Sequence, residues 1–173
     1  MTKNRKGAAA GYTLLEIVVV IGIIGILALV SYPEIRKSLE TRNLENDSMT
    51  VLATLQQAKF MAVKFKLYHR VRFDNSGAVW TYVIEQEVSR DNWVRAPKAI
   101  PKRLSTKFNI TVNLPDTPAS DTVVFSPLGL VDNFNVNQNS ISIQSPVLAA
   151  HNQQSTRTVQ VYAGGSVKYL KST

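Results

Sequence analysis

The sequence predicts an α+β protein. A long N-terminal membrane-spanning helix leads into an antiparallel β-sheet or β-sandwich domain, on which the helix packs its C-terminal half. Three observations predict this. The run from Gly11 to Pro33 (GYTLLEIVVVIGIIGILALVSYP) holds only apolar residues and glycine between Ile17 and Val30. Beyond Pro33 an apolar stripe continues at helical spacing. From Tyr68 onward the apolar period changes to two and turn residues recur.

The apolar run matches the window of about 20 residues that crosses a bilayer core as a helix. Only Thr13, Glu16 and Ser31 interrupt it, and Lys3, Arg5 and Lys6 precede it without an acid. That charge bias predicts a cytoplasmic N-terminus, with the rest of the chain across the membrane. A cleaved secretory signal would place its small residues after the apolar region. Here Gly7-Ala8-Ala9-Ala10-Gly11 come before it, and Ser31-Tyr32-Pro33 follow it. Glu16 is the unusual residue. A carboxylate in hydrocarbon costs a few kcal/mol or more, so such groups pair. At a helix N-terminus it gains from the macrodipole.

Pro33 lacks an amide donor, so a kink or local break is expected there. Gly22 and Gly25 leave room for close helix approach. Further on, Leu44, Val51, Leu55, Ala58, Ala62 and Phe65 recur at steps of 7, 4, 3, 4 and 3, one stripe of an amphipathic helix. Arg36, Lys37, Glu40, Arg42, Glu45 and Asp47 read as its solvated face. A helix over 12–65 would measure roughly 80 Å at the usual rise.

The motif Gly11-Tyr12-Thr13-Leu14-Leu15-Glu16 resembles the N-terminal signature of type IV pilins and type II secretion pseudopilins. The resemblance implies that a prepilin peptidase removes residues 1–11, cutting between Gly11 and Tyr12, and N-methylates Tyr12. Glu16 would then be the fifth residue of the mature chain and Pro33 its twenty-second, a position where family members often carry proline. Tyr12 stands where the family usually has Phe. The resemblance gives Glu16 an assembly role, pairing with the Tyr12 amine of a neighbour. The expected division is a leader over 1–11, a helix over 12–65 with its transmembrane part at 12–32, and a β-rich periplasmic domain over 66–173.

In that last region Tyr68–Phe73 and Ala78–Glu87 read as a hairpin around Asp74-Asn75-Ser76-Gly77. Further strand candidates are Trp93–Arg95, Lys107–Asn113, Thr122–Phe125, Ser140–Gln144, Thr158–Tyr162 and Ser166–Leu170. Asn113–Asp121 and Asp132–Asn139 read as loops rich in Pro, Asp and Asn. Leu55-Gln56-Gln57-Ala58-Lys59-Phe60-Met61-Ala62, the strand at Val71-Arg72-Phe73, and Phe125-Ser126-Pro127-Leu128-Gly129 resemble the GspH/FimT group of minor pseudopilins and pilins. That resemblance implies an N-terminal helix against a β-sandwich-like domain.

Chemistry is sparse. Cysteine is absent, and the histidines His69 and His151 lie far apart without metal-site spacing. No nucleotide-binding or nucleophile-elbow pattern occurs, so no catalytic residue, cofactor or metal is expected and the chain does not read as an enzyme. Asp116, Asp121 and Asp132 sit in loops but form no EF-hand series. The net charge is +8. Without Lys3, Arg5 and Lys6, 17 basic and 12 acidic residues leave +5. Basic residues gather at Lys64, Lys66, Arg70 and Arg72, again from Arg95 to Lys107, and at Lys168 and Lys171 in the tail. Some FimT-like pilins bind DNA through a C-terminal Gly-Arg-x-Arg motif. Gly165-Ser166-Val167-Lys168 lacks both arginines, which leaves Lys168 and Lys171 as the candidates for nucleic-acid contact, and DNA is not an expected partner.

The sequence therefore reads as a minor pseudopilin of a type II secretion system, assembling with other pseudopilins by helix-bundle packing into the filament that drives protein export. The expected partners are the prepilin peptidase, those other subunits, the inner membrane and the secreted cargo. The alternative is a minor type IV pilin in pilus initiation, adhesion or DNA uptake.

Overall fold

The computed structural model describes residues 12–117 and 120–172. The expectations for residues 1–11, Gly11 among them, lie outside the described residues. The chain divides into two units between Ser38 and Leu39. Helix α1 (Leu14–Phe65, 52 residues) belongs to both. It runs through Pro33 without the break expected there. Proline removes one hydrogen bond at the carbonyl four residues earlier, a local loss that the turns on either side can outweigh.

In the first unit α1 starts beneath Thr13, whose Oγ1 accepts the Glu16 N–H at 3.2 Å, a side-chain cap on one of the otherwise unpaired amides of the first turn. From Leu14 to Leu29 the large apolar side chains are all exposed, from 46 % at Val20 to 83 % at Leu14.

The second unit holds the core. Two antiparallel sheets form it with the later part of α1. The first contains β1 (His69–Asp74), β2 (Thr81–Ser89), β3 (Asn92–Arg95), β4 (Lys102–Arg103), β6 (Asp116–Thr117) and β7 (Ser120–Phe125). Its order is β3-β2-β1-β7-β6, with β4 also on β2. The second sheet contains β5 (Asn109–Asn113), β8 (Ser140–Gln144), β9 (Thr156–Val161) and β10 (Val167–Ser172), in the order β10-β9-β8-β5. Helix α2 (Pro146–Ala150) follows β8.

Alternation decides which strand residues enter the core. Val71 and Phe73, Tyr82 and Ile84, and Val123 and Phe125 point inward from the first sheet; Ile141 and Ile143, and Val159 and Val161, from the second. Leu44, Val51, Leu55, Ala58 and Ala62 of α1 join the same cluster, each fully buried. The expected stripe is thus the face that packs on the β domain, except at its end. Phe65 is half exposed and stacks on buried His69 at 6.2 Å between ring centroids. The helix stops there because Lys66 takes a left-handed conformation (φ 58°), a common helix ending.

Several boundaries differ from expectation. The first hairpin is wider: Asp74 pairs with Thr81, so Ala78 and Trp80 belong to the loop and not to β2. Asp74 Oδ1 accepts the Ser76 N–H at 2.7 Å, an Asx turn that starts that loop. The segment Asn113–Asp121, read as a loop, contains β6 and the start of β7, paired as Asp116 with Asp121. Helix α2 was not expected. Ser145 caps it through Oγ and Pro146 opens it.

Candidate functional site

Two regions carry the groups that matter: the N-terminal segment of α1, and the contact between the later part of α1 and the β domain. In the N-terminal segment Tyr12 is 79 % exposed and Glu16 lies in the first turn. A Cβ added at Gly22 or Gly25 would meet nothing within 4 Å, so both positions stand open. Ser31 Oγ donates to the Leu27 carbonyl at 2.9 Å, which satisfies that hydroxyl inside an apolar stretch. Polar contacts begin just beyond. The Arg36 guanidinium lies 4.9 Å over the Tyr32 ring, and Lys37 pairs with Glu34 at 2.9 Å. Aromatic and charged residues directly after an apolar run mark where such a helix meets the membrane–water interface. Among the described residues α1 is the one helix long and apolar enough to cross a membrane.

The second region corrects the reading of Glu40, Glu45 and Asp47 as a solvated face. All three are half-buried and accept hydrogen bonds from the β domain. Glu40 Oε1 accepts from Ser145 Oγ at 2.9 Å. Glu45 Oε1 lies 2.6 Å from Lys171 Nζ and 3.6 Å from an Arg157 guanidinium nitrogen. Asp47 Oδ2 accepts the Ser105 N–H at 3.2 Å. Farther along, Thr54 Oγ1 accepts from Lys102 Nζ at 3.0 Å. Arg36 and Arg42 of the expected face are exposed.

These contacts set the local electrostatics. The hydrogen bond from Lys171 holds the Glu45 carboxyl below its ordinary value, against a smaller opposing effect of burial. Burial pushes Asp47 up, with the Ser105 amide working the other way. Burial also raises Tyr82, to about 12. Arg157 is the largest fully buried side chain, and it donates to the Gln154 and Thr156 carbonyls at 2.8 and 3.1 Å. Sequence reasoning missed it, although Arg157 shares the inward parity of Val159 and Val161.

Two glycines fix the far end of this contact. A Cβ on Gly165 (φ +71°) would fall 1.9 Å from the Gly129 carbonyl oxygen, and one on Gly129 (φ +79°) would fall 3.0 Å from Val63 Cγ2. The two turns therefore press on each other and on α1, and Val131 N–H bonds the Ala163 carbonyl between them at 2.9 Å.

The basic candidates come out dispersed. Lys168 and Lys171 are three apart on a strand and face opposite ways: Lys171 toward Glu45, Lys168 over the Tyr162 ring at 5.2 Å. Glu85 holds Arg70 at 2.7 Å and Arg72 at 2.9 Å, and Arg72 also pairs with Asp74. His69 is buried, and its pKa is lowered from 6.5 by that burial. His151 ends α2. Among the described residues no group of three or more His, Cys, Asp or Glu stands close enough to hold a metal ion.

The fold and this segment define a class: an N-terminal apolar helix, capped at Thr13 with Glu16 in its first turn, carried on an α+β domain. Residues 6–32 match the prokaryotic N-terminal methylation motif, the signature of type IV pilins and pseudopilins. No curated protein and no solved structure showed a match to the chain. The motif implies prepilin peptidase processing and pilin–pilin assembly, and together with the apolar helix it fits a membrane-anchored protein.

Proposed function

We propose that this chain is a minor pseudopilin of a type II secretion system. The prepilin peptidase cleaves between Gly11 and Tyr12 and methylates the Tyr12 amine. The mature chain spans the inner membrane through residues 12–32, with its β-rich domain over 66–173 in the periplasm. Glu16 pairs with the Tyr12 amine of a neighbouring subunit, and the apolar helices bundle into the filament core. The work is assembly, so the chain is not an enzyme and uses no cofactor.

One observation carries this reading. The methylation motif opens a helix segment whose apolar side chains are all exposed, so that segment requires a surrounding of lipid or of other helices. Within that surrounding, the carboxylate of Glu16 requires a cationic partner. The α+β domain supports the choice of the GspH-like group. Deletion of the gene, complemented with the native chain or with Glu16→Ala, tests it. Loss of exoprotein secretion restored only by the native chain is expected. Normal secretion with loss of surface pili would instead assign the chain to a type IV pilus.

A further inference from the structure

At the C-terminal end of α1 the β domain carries an apolar surface that its own fold leaves open. Phe60 is 63 % exposed, Phe65 51 %, Val88 53 % and Leu128 79 %, with Val63 and Leu67 also exposed. Three contacts make these one surface. Lys64 Nζ lies over both the Phe60 and Phe65 rings, at 5.7 and 5.4 Å. Val63 stands against Gly129, which follows Leu128. Leu67, Val88 and Pro127 line an open depression of about 370 Å³ together with Lys66, Tyr68 and Arg90. An apolar surface of this kind with a polar rim marks an interaction site.

The rim is cationic. Lys64, Lys66 and Arg90 border the surface, against one acid, Glu87, in the depression. The Lys64 ammonium lies over the two rings and its residue is exposed, so it stays free to pair with an anion as well. The depression is concave and sized for side chains. An apolar recess of that size accepts the side chains of a protein partner.

We propose that this end of the domain docks an amphipathic segment of another protein, with apolar side chains entering the depression and carboxylates facing Lys64, Lys66 and Arg90. The inference rests on the filament reading only in expecting that protein among the other subunits or the exported cargo.

A photo-reactive amino acid placed at Leu128 or Phe60 of the full-length chain in its own cells tests the surface, with exposed Thr106 as the control position. We expect one dominant adduct from Leu128 and Phe60, whose cross-linked peptide is apolar and rich in Asp and Glu, and none from Thr106. Lys64→Glu combined with Lys66→Glu should reduce that adduct roughly tenfold or more, because like charges now face each other. Leu128→Ser, at a side chain outside the core, should weaken it without touching the helix. Adducts to lipid alone, a basic partner peptide, equal labelling at Thr106, no adduct, or indifference to the charge reversal would each overturn the proposal. The mass of the mature chain is read in the same samples. A correctly processed chain that forms no adduct sinks the docking surface alone, whereas an unprocessed chain sinks the filament reading.

Discussion

The two halves of α1 obey opposite rules within one continuous helix. From Leu14 to Leu29 the helix is apolar all round and its large side chains are exposed; from Leu44 to Ala62 it is amphipathic and its stripe is fully buried. The later half contributes to the fold of the chain that contains it. Among the described residues the earlier half contributes no side chain to that core. A helix hydrophobic on every side needs a different solvent or other helices. The contrast separates what stabilises the monomer from what serves assembly.

Substitutions can break or sharpen that contrast. The largest effect is expected from Glu16→Ala, which should abolish incorporation into filaments, read by co-purification with the other subunits, while the thermal unfolding of the β domain stays unchanged. Next comes the buried stripe. Leu55→Ala should cost about 2–5 kcal/mol in chemical denaturation, because its cavity lies where α1 meets the sheets. Leu27→Ala, the same chemistry in the exposed half, should leave that transition unmoved.

Gly165→Ala should cost about 1–3 kcal/mol, since a Cβ there meets the Gly129 carbonyl on a backbone with positive φ. Thermal melts of the variant and the native chain measure it.

The smallest effect concerns Glu45, and it depends on pH. Its carboxyl is held below the ordinary 4.5, so its contribution is present above that value and lost as pH falls through the lowered one. Glu45→Gln should therefore destabilise by about 1 kcal/mol near neutrality, in keeping with a partly exposed pair. The deficit should vanish in acid. Asp47 works in the reverse direction: its raised pKa means that ionisation costs stability, with the cost growing as pH rises through the folded value. Asp47→Asn, which keeps an acceptor for the Ser105 amide, should be neutral or slightly stabilising at pH 7. Melts across pH 3–7 for both variants separate the two signs.

Much of this architecture was legible in the residues. The stripe through Leu44, Val51, Leu55, Ala58 and Ala62 and the period-two strands reflect burial within the chain, whereas the apolar run reflects a surrounding outside it. Two-residue strands such as Lys102–Arg103 leave no periodicity to read. Helix α2 had a signal in Ser145-Pro146, a cap followed by a first-turn proline, that a five-residue element hides easily. Glu40, Glu45 and Asp47 were illegible for another reason. A charge pattern along a helix does not tell what faces it, and the partners lie 58 to 126 residues away. The candidate site divides in the same way. Tyr12 and Glu16 were readable from a local motif, whereas the cationic apolar end beyond Phe60 exists only once α1, β2 and the Pro127–Gly129 turn are brought together.

The claim that the exposed half of α1 exists for assembly after processing is tested most directly by intact mass. The protein is recovered from cells with and without the prepilin peptidase. Loss of residues 1–11 with the gain of one methyl group, only where the peptidase is present, is the expected result. A chain uncut in both, or cut after Val30, would contradict it.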